Sequence, residues 1–334
     1  MSIRYERLKV LTPWKRVGEI RQVRDPDRGI MYDVDVTVAD STNLLPTLIS
    51  GVDVLVAIEF NAEMARYADR LKLIHSPGAG YERISLDAVP KGAVVCNSFE
   101  HENAVAEWVL MAMIALDRQL LRADRTLRDG NWEMSGRYGA TYPGLQDRTV
   151  GVIGLGRIGR RVIELAKAFR MRTVAATRTP LSDEESKRLA IDLALPMSQV
   201  DRLFSTCDFI VPCVPVTEAT RGLIGQREFA LMKPTTNLIN IARGEVIDEG
   251  ALYQTLIDRR IAGAALDVWW NEPVSRDGAP APSKYPYRDL DNVLMSPHAS
   301  AATRSTLDAR IKFLSDQVAR LALGQSLQNV VHIG

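Results

Sequence analysis

Three side chains stand where carbonyl chemistry would need them. His298 follows the apolar run Val293–Ser296, in Ser296-Pro297-His298-Ala299-Ser300. Arg243 follows Asn237–Ala242 and precedes Gly244, and Glu272 closes Asp267-Val268-Trp269-Trp270-Asn271-Glu272-Pro273, after the run Ala264–Trp269. A histidine can give a proton to an alkoxide as it forms. A carboxylate beside an imidazole raises its basicity and fixes its tautomer. A guanidinium can grip a substrate carboxylate in two places and still touch a ketone oxygen. Each residue alone is commonplace; the weight comes from three of them at the ends of successive apolar runs. Of the four histidines, His75 closes a run ahead of Ser76-Pro77-Gly78-Ala79-Gly80, His101 precedes a long apolar stretch, and His332 lies near the end of the chain.

The strongest local signal is Thr149-Val150-Gly151-Val152-Ile153-Gly154-Leu155-Gly156-Arg157-Ile158-Gly159-Arg160. Gly154, Gly156 and Gly159 fit the dinucleotide spacing: one for the tight turn, one for approach of a pyrophosphate to the backbone, one for close helix–strand packing. The helix that follows, Arg160–Phe169, would present free N–H groups and its dipole to the anion. A carboxylate about 20 residues further on would hold the ribose 2′-hydroxyl of NAD. Here the next run ends Ala175-Ala176-Thr177-Arg178-Thr179-Pro180, with no acid before Asp183. Arg178, with hydroxyl donors from Thr177 and Thr179, suits a 2′-phosphate, so NADP is the expected cofactor. NAD stays open if Arg178 is only a solvated surface residue.

Elements must carry these groups. Short apolar runs at Leu8–Leu11, Val34–Val38, Val52–Ile58, Leu71–His75 and Ala93–Cys96 alternate with stretches of helical character, which predicts parallel strands with helical crossovers. The pattern breaks at Asn103–Leu121, apolar on every face, which predicts a helix buried on nearly all sides, in a core or against a second subunit. After a polar passage, Asp129–Gln146, strand-like runs resume at Thr149–Gly154, Arg172–Thr177, Phe209–Val214, Asn237–Ala242, Ala264–Trp269 and Val293–Ser296. They predict a doubly wound nucleotide-binding sheet. Asn271–Asp291, rich in Pro and Gly and carrying Tyr285 and Tyr287 near Trp269-Trp270, reads as a long loop that shapes a pocket or packs at a dimer. A helix is expected over Ala302–Leu323.

Composition excludes several classes. The 334 residues are enough for about two domains. Forty-two basic and 41 acidic side chains give a net charge of +1, which leaves no basic footprint for nucleic acid or an anionic membrane. No window is apolar enough for a membrane span. The first ten residues carry Arg4, Glu6, Arg7 and Lys9, with no apolar segment for a signal peptide. Cys96, Cys207 and Cys213 form no CxxC pair, so no metal site is expected and buried reduced thiols in a cytoplasmic protein are.

Four stretches together resemble the D-isomer-specific 2-hydroxyacid dehydrogenases, including glyoxylate and hydroxypyruvate reductases. They are Val150–Gly159, Asn240-Ile241-Ala242-Arg243-Gly244-Glu245-Val246-Ile247-Asp248, Ala264–Val268 with Glu272-Pro273, and Ser296-Pro297-His298. Asn103-Ala104-Val105-Ala106-Glu107 is similar to the family's helix-opening motif. The resemblance implies an α/β fold of two doubly wound domains. A Rossmann cofactor domain (103–299, with the helix 103–121) would be inserted in a discontinuous flavodoxin-like substrate domain (1–102 and 300–334), and the two would close over a cleft. It implies Arg243 as substrate clamp, Glu272 as partner and His298 as proton donor, with Ala79 and Gly80 offering backbone N–H groups to the substrate carboxylate. On the cofactor side it adds Arg157, Ile158, Cys213, Pro215, Thr217, Ala242, Arg243, Asp267, His298 and Ser300 to the glycines and to Thr177, Arg178 and Thr179. A homodimer through the helix at 103–121 and a small 2-keto or 2-hydroxy acid substrate complete it. Formate dehydrogenases of the superfamily carry glutamine where Glu272 stands, so that activity is disfavoured. A phosphite-oxidising relative, or a dinucleotide-sensing corepressor-like protein, are the alternatives.

Overall fold

The computed structural model describes residues 7–24, 29, 31–273 and 280–334; Arg4 and Glu6 at the start, and 274–279 of the expected long loop, lie outside them. The chain divides into two compact units, 1–100 with 304–334, and 101–303.

The first unit is built on a seven-stranded sheet. Its strands are β1 (Leu8–Thr12), β2 (Gln22–Arg24), β3 (Met31–Val38), β4 (Val54–Val56), β5 (Leu73–His75), β6 (Val94–Cys96) and the C-terminal strand Val330–Ile333. The five parallel strands run β3-β1-β4-β5-β6, the flavodoxin-like order. β2 and the C-terminal strand cap the two edges antiparallel. Val54, Leu55 and Val56 are all buried, the continuous apolar run of a strand covered on both faces. The helix Arg304–Ala322 lies with this unit, its Leu314, Val318 and Ala319 packed with Val10, Val34 and Leu73.

The second unit holds another seven-stranded sheet, all parallel. It comprises β7 (Thr149–Ile153), β8 (Arg172–Thr177), β9 (Leu193–Pro196), β10 (Phe209–Pro212), β11 (Asn237–Asn240), β12 (Gly263–Leu266) and β13 (Val293–Met295). The order is β9-β8-β7-β10-β11-β12-β13, the Rossmann arrangement with one further strand. One apolar layer packs Val150, Val152 and Phe209 against Val105, Val109 and Met113; the other packs Ile153, Ile210 and Leu238 against Phe204, Phe229 and Leu252. The order reverses between β7 and β10, which opens a crevice at their carboxyl ends.

Two expectations change. The edge strand β9 has no counterpart among the predicted runs. The predicted helix 103–121 is two: α1 (Glu102–Asp117) and α2 (Leu120–Arg128). Gln119 between them takes a left-handed φ of 47°, which no α-helix continues through. Within this chain Met111 is 43% and Ile114 36% exposed while Val109 and Met113 are buried. The described part of the loop 271–291 packs in part on its own unit, with Lys284, Arg288 and Asp289 exposed. Tyr285 stacks on Tyr253 at 4.9 Å, Tyr287 stacks on Trp270 at 5.6 Å, and Ser283 donates to Glu249 at 2.6 Å. The loop is thereby folded back on the helix Glu249–Ile257 of its own unit.

Candidate active site

Arg243, Asp267, Glu272 and His298 all lie beyond the carboxyl ends of strands in the second unit. β11 runs into Arg243, β12 into Asp267 and Glu272, and β13 into His298. The structure brings the last two together: His298 Nδ1 lies 2.8 Å from Glu272 Oε2 and 3.0 Å from Oε1. With the carboxylate accepting from Nδ1–H, Nε2 is left to carry or release a proton. Trp269 N–H donates to Glu272 Oε1 at 3.1 Å. Burial alone pushes the Glu272 carboxyl up; the His298 hydrogen bond and charge, the Trp269 N–H and the nearby Arg243 charge outweigh it and hold the group below its usual range. Arg243 is therefore close enough to be felt at the pair.

Arg243 is aimed by its turn. Asn240 Nδ2 donates to the Arg243 carbonyl at 2.9 Å, Ala242 N–H donates to Asn240 Oδ1 at 3.1 Å, and Arg243 Nη1 donates to the Ala242 carbonyl at 2.7 Å. Gly244 allows the turn to touch the next one: a β-carbon there would sit 2.4 Å from the Trp269 carbonyl carbon.

Asp267 is fully buried, and its carboxylate serves the His298 turn. Oδ1 accepts from Ser296 Oγ at 2.6 Å and Ala299 N–H at 2.7 Å, and Oδ2 accepts from Ser300 N–H at 2.9 Å. His298 N–H donates to the Asp267 carbonyl at 2.7 Å. His298 has a φ of 53°, which a non-glycine residue adopts only when its surroundings impose it.

The glycine loop fits a dinucleotide. A β-carbon at Gly154 would stand 2.8 Å from the Cys213 carbonyl oxygen, and one at Gly159 2.3 Å from the Gly154 carbonyl oxygen, so both positions close the turn onto its neighbours. At Gly156 nothing lies within 4 Å; this is the open side, at the start of α3 (Arg157–Ala168), where a pyrophosphate can approach the backbone. Ile158 packs against the core and the Arg157 guanidinium pairs with Glu102 at 3.6 Å. Across the crevice Cys213 is half-buried, while Pro215 and Thr217 stand in an exposed turn closed by Thr220. Arg178 and Thr179 are exposed, and Thr177 is buried with its hydroxyl donating to the Thr179 carbonyl at 2.7 Å. That donor is spent on its own turn.

In the first unit, the carbonyls of Gly78, Ala79 and Gly80 accept from Ser98 N–H at 3.0 Å, Asn97 Nδ2 at 2.8 Å and Ser76 Oγ at 2.6 Å. Among the described residues nothing accepts the Ala79 and Gly80 N–H groups.

The sequence reading missed Asn240, Ser296 and Trp269, whose hydrogen bonds set the three candidate side chains. Ser296 and Asn240 had a signal, a polar residue closing an apolar strand; the Trp269 indole had none. Among the described residues no cluster of histidine, cysteine and carboxylate side chains could hold a metal ion.

A doubly wound crevice, a dinucleotide turn and an imidazole–carboxylate pair define a nicotinamide-type oxidoreductase scaffold. The model of the D-isomer specific 2-hydroxyacid dehydrogenase NAD binding domain matches residues 110–300. D-3-phosphoglycerate dehydrogenase of Methanocaldococcus jannaschii is 33% identical over 306 residues, covering 90% of this chain and 56% of that protein. Glyoxylate reductase of Thermococcus onnurineus is 34% identical over 297 residues, covering 83% of this chain and 84% of its own. A solved structure from Polaromonas sp. JS6 66, described as a D-isomer specific 2-hydroxyacid dehydrogenase, superposes with a TM-score of 0.81 at 25% identity over 98% of this chain and all of its own. The chain belongs to the D-isomer specific 2-hydroxyacid dehydrogenases. It spans about half the length of the phosphoglycerate dehydrogenases it matches.

Proposed function

We propose that this chain reduces small 2-keto acids, glyoxylate or hydroxypyruvate first, to D-2-hydroxy acids, with NADPH preferred over NADH. The Glu272–His298 contact at 2.8 Å carries the reading. A nicotinamide dinucleotide on the glycine loop supplies the hydride to the carbonyl carbon. Gly154, Gly156, Arg157, Ile158 and Gly159 present the turn and helix N-terminus to its pyrophosphate, and Arg178 meets the 2′-phosphate. Arg243 binds the substrate carboxylate and polarises the ketone; the family reading adds Ala79 and Gly80 as carboxylate ligands. His298 Nε2 delivers the proton to the oxygen as the C–O bond becomes an alcohol, and Glu272 stabilises the imidazolium before that transfer. The three free cysteines fit a reducing, cytoplasmic setting, and the exposed apolar side chains of α1 and α2 fit a homodimer. No helix of the described residues is long and apolar enough to cross a membrane.

The test is a panel of 2-keto acids with NADPH and NADH in parallel, followed by the absorbance of the reduced nicotinamide. Turnover should appear with glyoxylate or hydroxypyruvate. His298→Ala should cut kcat by about 10²–10⁴-fold, the size of general acid catalysis. Turnover of no keto acid, or a His298→Ala rate near wild type, would overturn the assignment.

A further inference from the structure

Trp269 bonds the carboxylate of the imidazole–carboxylate pair and also the chain two residues ahead of the imidazole. Its backbone N–H holds Glu272 Oε1 at 3.1 Å, and its indole Nε1–H donates to the Ser296 carbonyl at 2.8 Å. The indole is buried and meets the Tyr287 ring edge-on at 6.1 Å. Tyr287 is itself fixed, its hydroxyl donating to the Glu249 carbonyl at 2.8 Å.

The Ser296 carbonyl matters because residue 297 is proline, so the peptide between Ser296 and Pro297 has no N–H to be held by. The carbonyl of that peptide accepts from Trp269, while Ser296 itself is held by its N–H on the Leu266 carbonyl at 2.9 Å and its hydroxyl on Asp267 Oδ1 at 2.6 Å. Beyond the proline, Asp267 fixes the turn through His298 N–H, Ala299 N–H and Ser300 N–H. Asp267 therefore holds the turn on both sides of the proline, and Trp269 adds a bond to the Ser296–Pro297 peptide itself. His298 sits between them in a left-handed conformation with a largely exposed ring, 46% for the side chain.

We infer that Trp269 is a positioning residue: its indole N–H sets the peptide ahead of His298 so that the imidazole meets the carboxylate its own backbone holds. The inference rests on the reading of Glu272 and His298 as the proton-transfer pair. A phenylalanine would leave the Ser296 carbonyl without its donor and, being smaller than the indole, would also leave part of the buried space empty.

The experiment is Trp269→Phe, with β-(3-benzothienyl)alanine at position 269 as a second variant that keeps the indole's shape and lacks only its N–H. Two readouts are taken: steady-state kinetics with glyoxylate or hydroxypyruvate, and the downfield proton resonance of the His298 Nδ1–H bond, assigned by its loss in His298→Ala. In both variants kcat should fall about tenfold, the order of one net hydrogen bond, with KM for the dinucleotide unchanged. The resonance should broaden or move. A residue that merely fills space would leave the resonance and the kcat of the benzothienyl variant at wild-type values, and that result overturns the tether. If His298→Ala itself turns over normally, the underlying reading falls instead, so the two failures are told apart.

Discussion

Glu272 answers two opposed demands. It must be dry enough for its charge to count at the imidazole, yet stay ionised. Burial pushes its carboxyl up; the His298 hydrogen bond and charge, then the Trp269 N–H and Arg243, more than reverse this. Its folded pKa therefore lies below the unfolded value of about 4.3. A depressed carboxylate adds stability that is complete above the unfolded pKa and drains away as pH falls through the folded one. Glu272→Gln should thus lower Tm by a few degrees near neutrality, and the gap to wild type should close below about pH 4. Thermal melts across that range check it; a gap that widens on acidification would contradict the assigned sign. Arg178 offers a second prediction. Its exposed guanidinium stands just past the β8 terminus, where the family's NAD users place an acid. Arg178→Ala should raise KM for NADPH by about tenfold or more, the loss of a charge-assisted contact, and leave NADH nearly untouched. Equal losses with both cofactors would return Arg178 to the surface. The company of Arg243, Glu272 and His298 is legible from sequence because strand ends are marked by where apolar runs stop. The Asp267 clamp and the Trp269 indole bond are not, since both join loops roughly thirty residues apart and their partners are backbone atoms that every residue possesses.

At the scale of elements, the site depends on how closely two strand-end turns approach. The Arg243 turn after β11 lies against the 269–270 peptide after β12, and only a missing side chain at 244 permits it, for a β-carbon would meet Trp269 O at 2.5 Å and Trp270 N at 2.6 Å. Backbone cannot yield as a flexible side chain does. Gly244→Ala should therefore destabilise the unit by about 1–3 kcal/mol and separate Arg243 from Glu272. The expected reading is a higher KM for the keto acid and a lower kcat, measured beside a denaturant melt. Wild-type stability and kinetics would show that the turns part at no cost. The same kind of contact explains which elements the sequence shows. The inner strands β7 and β10 are covered on both faces and read as largely apolar runs, and β11 keeps an apolar pair, Leu238-Ile239, between two buried asparagines. β9 is an edge strand of four residues, Leu193–Pro196, closed by a proline and only partly buried, so nothing in its pattern separates it from a loop. The break at Gln119 falls at the polar triplet Asp117-Arg118-Gln119, between the apolar residues up to Leu116 and from Leu120 on, and a left-handed backbone at an exposed glutamine leaves no mark in residue type.

At the scale of the whole molecule, the question is what covers the apolar surface of α1, α2 and the segment after them. Met111, Ile114, Leu120, Leu121, Leu127, Trp132 and Tyr138 are between 36% and 76% exposed. Isolated surface leucines are ordinary. Here the residues all fall between 111 and 138, and two hollows adjoin them. Ile114 and Phe169 line one of about 280 Å³ beside Asp117 and Arg118, and Leu121 lines another of about 420 Å³ with Leu116 and Leu294, beside Arg122, Arg148 and Arg259. A stable interface buries roughly 1,200–2,000 Å² in total, which a stretch of this length can supply to a second copy. The net charge of +1 sets up no repulsion between copies. The chain should therefore scatter light as a dimer at micromolar concentration. Ile114→Glu with Leu121→Glu would place charges at both hollows and should shift the population to monomer, while each unit keeps its far-ultraviolet circular dichroism. A wild-type monomer, or a dimer indifferent to the double substitution, would assign this surface to solvent and remove the homodimer from the proposed function, leaving the chemistry of Glu272 and His298 within one chain intact.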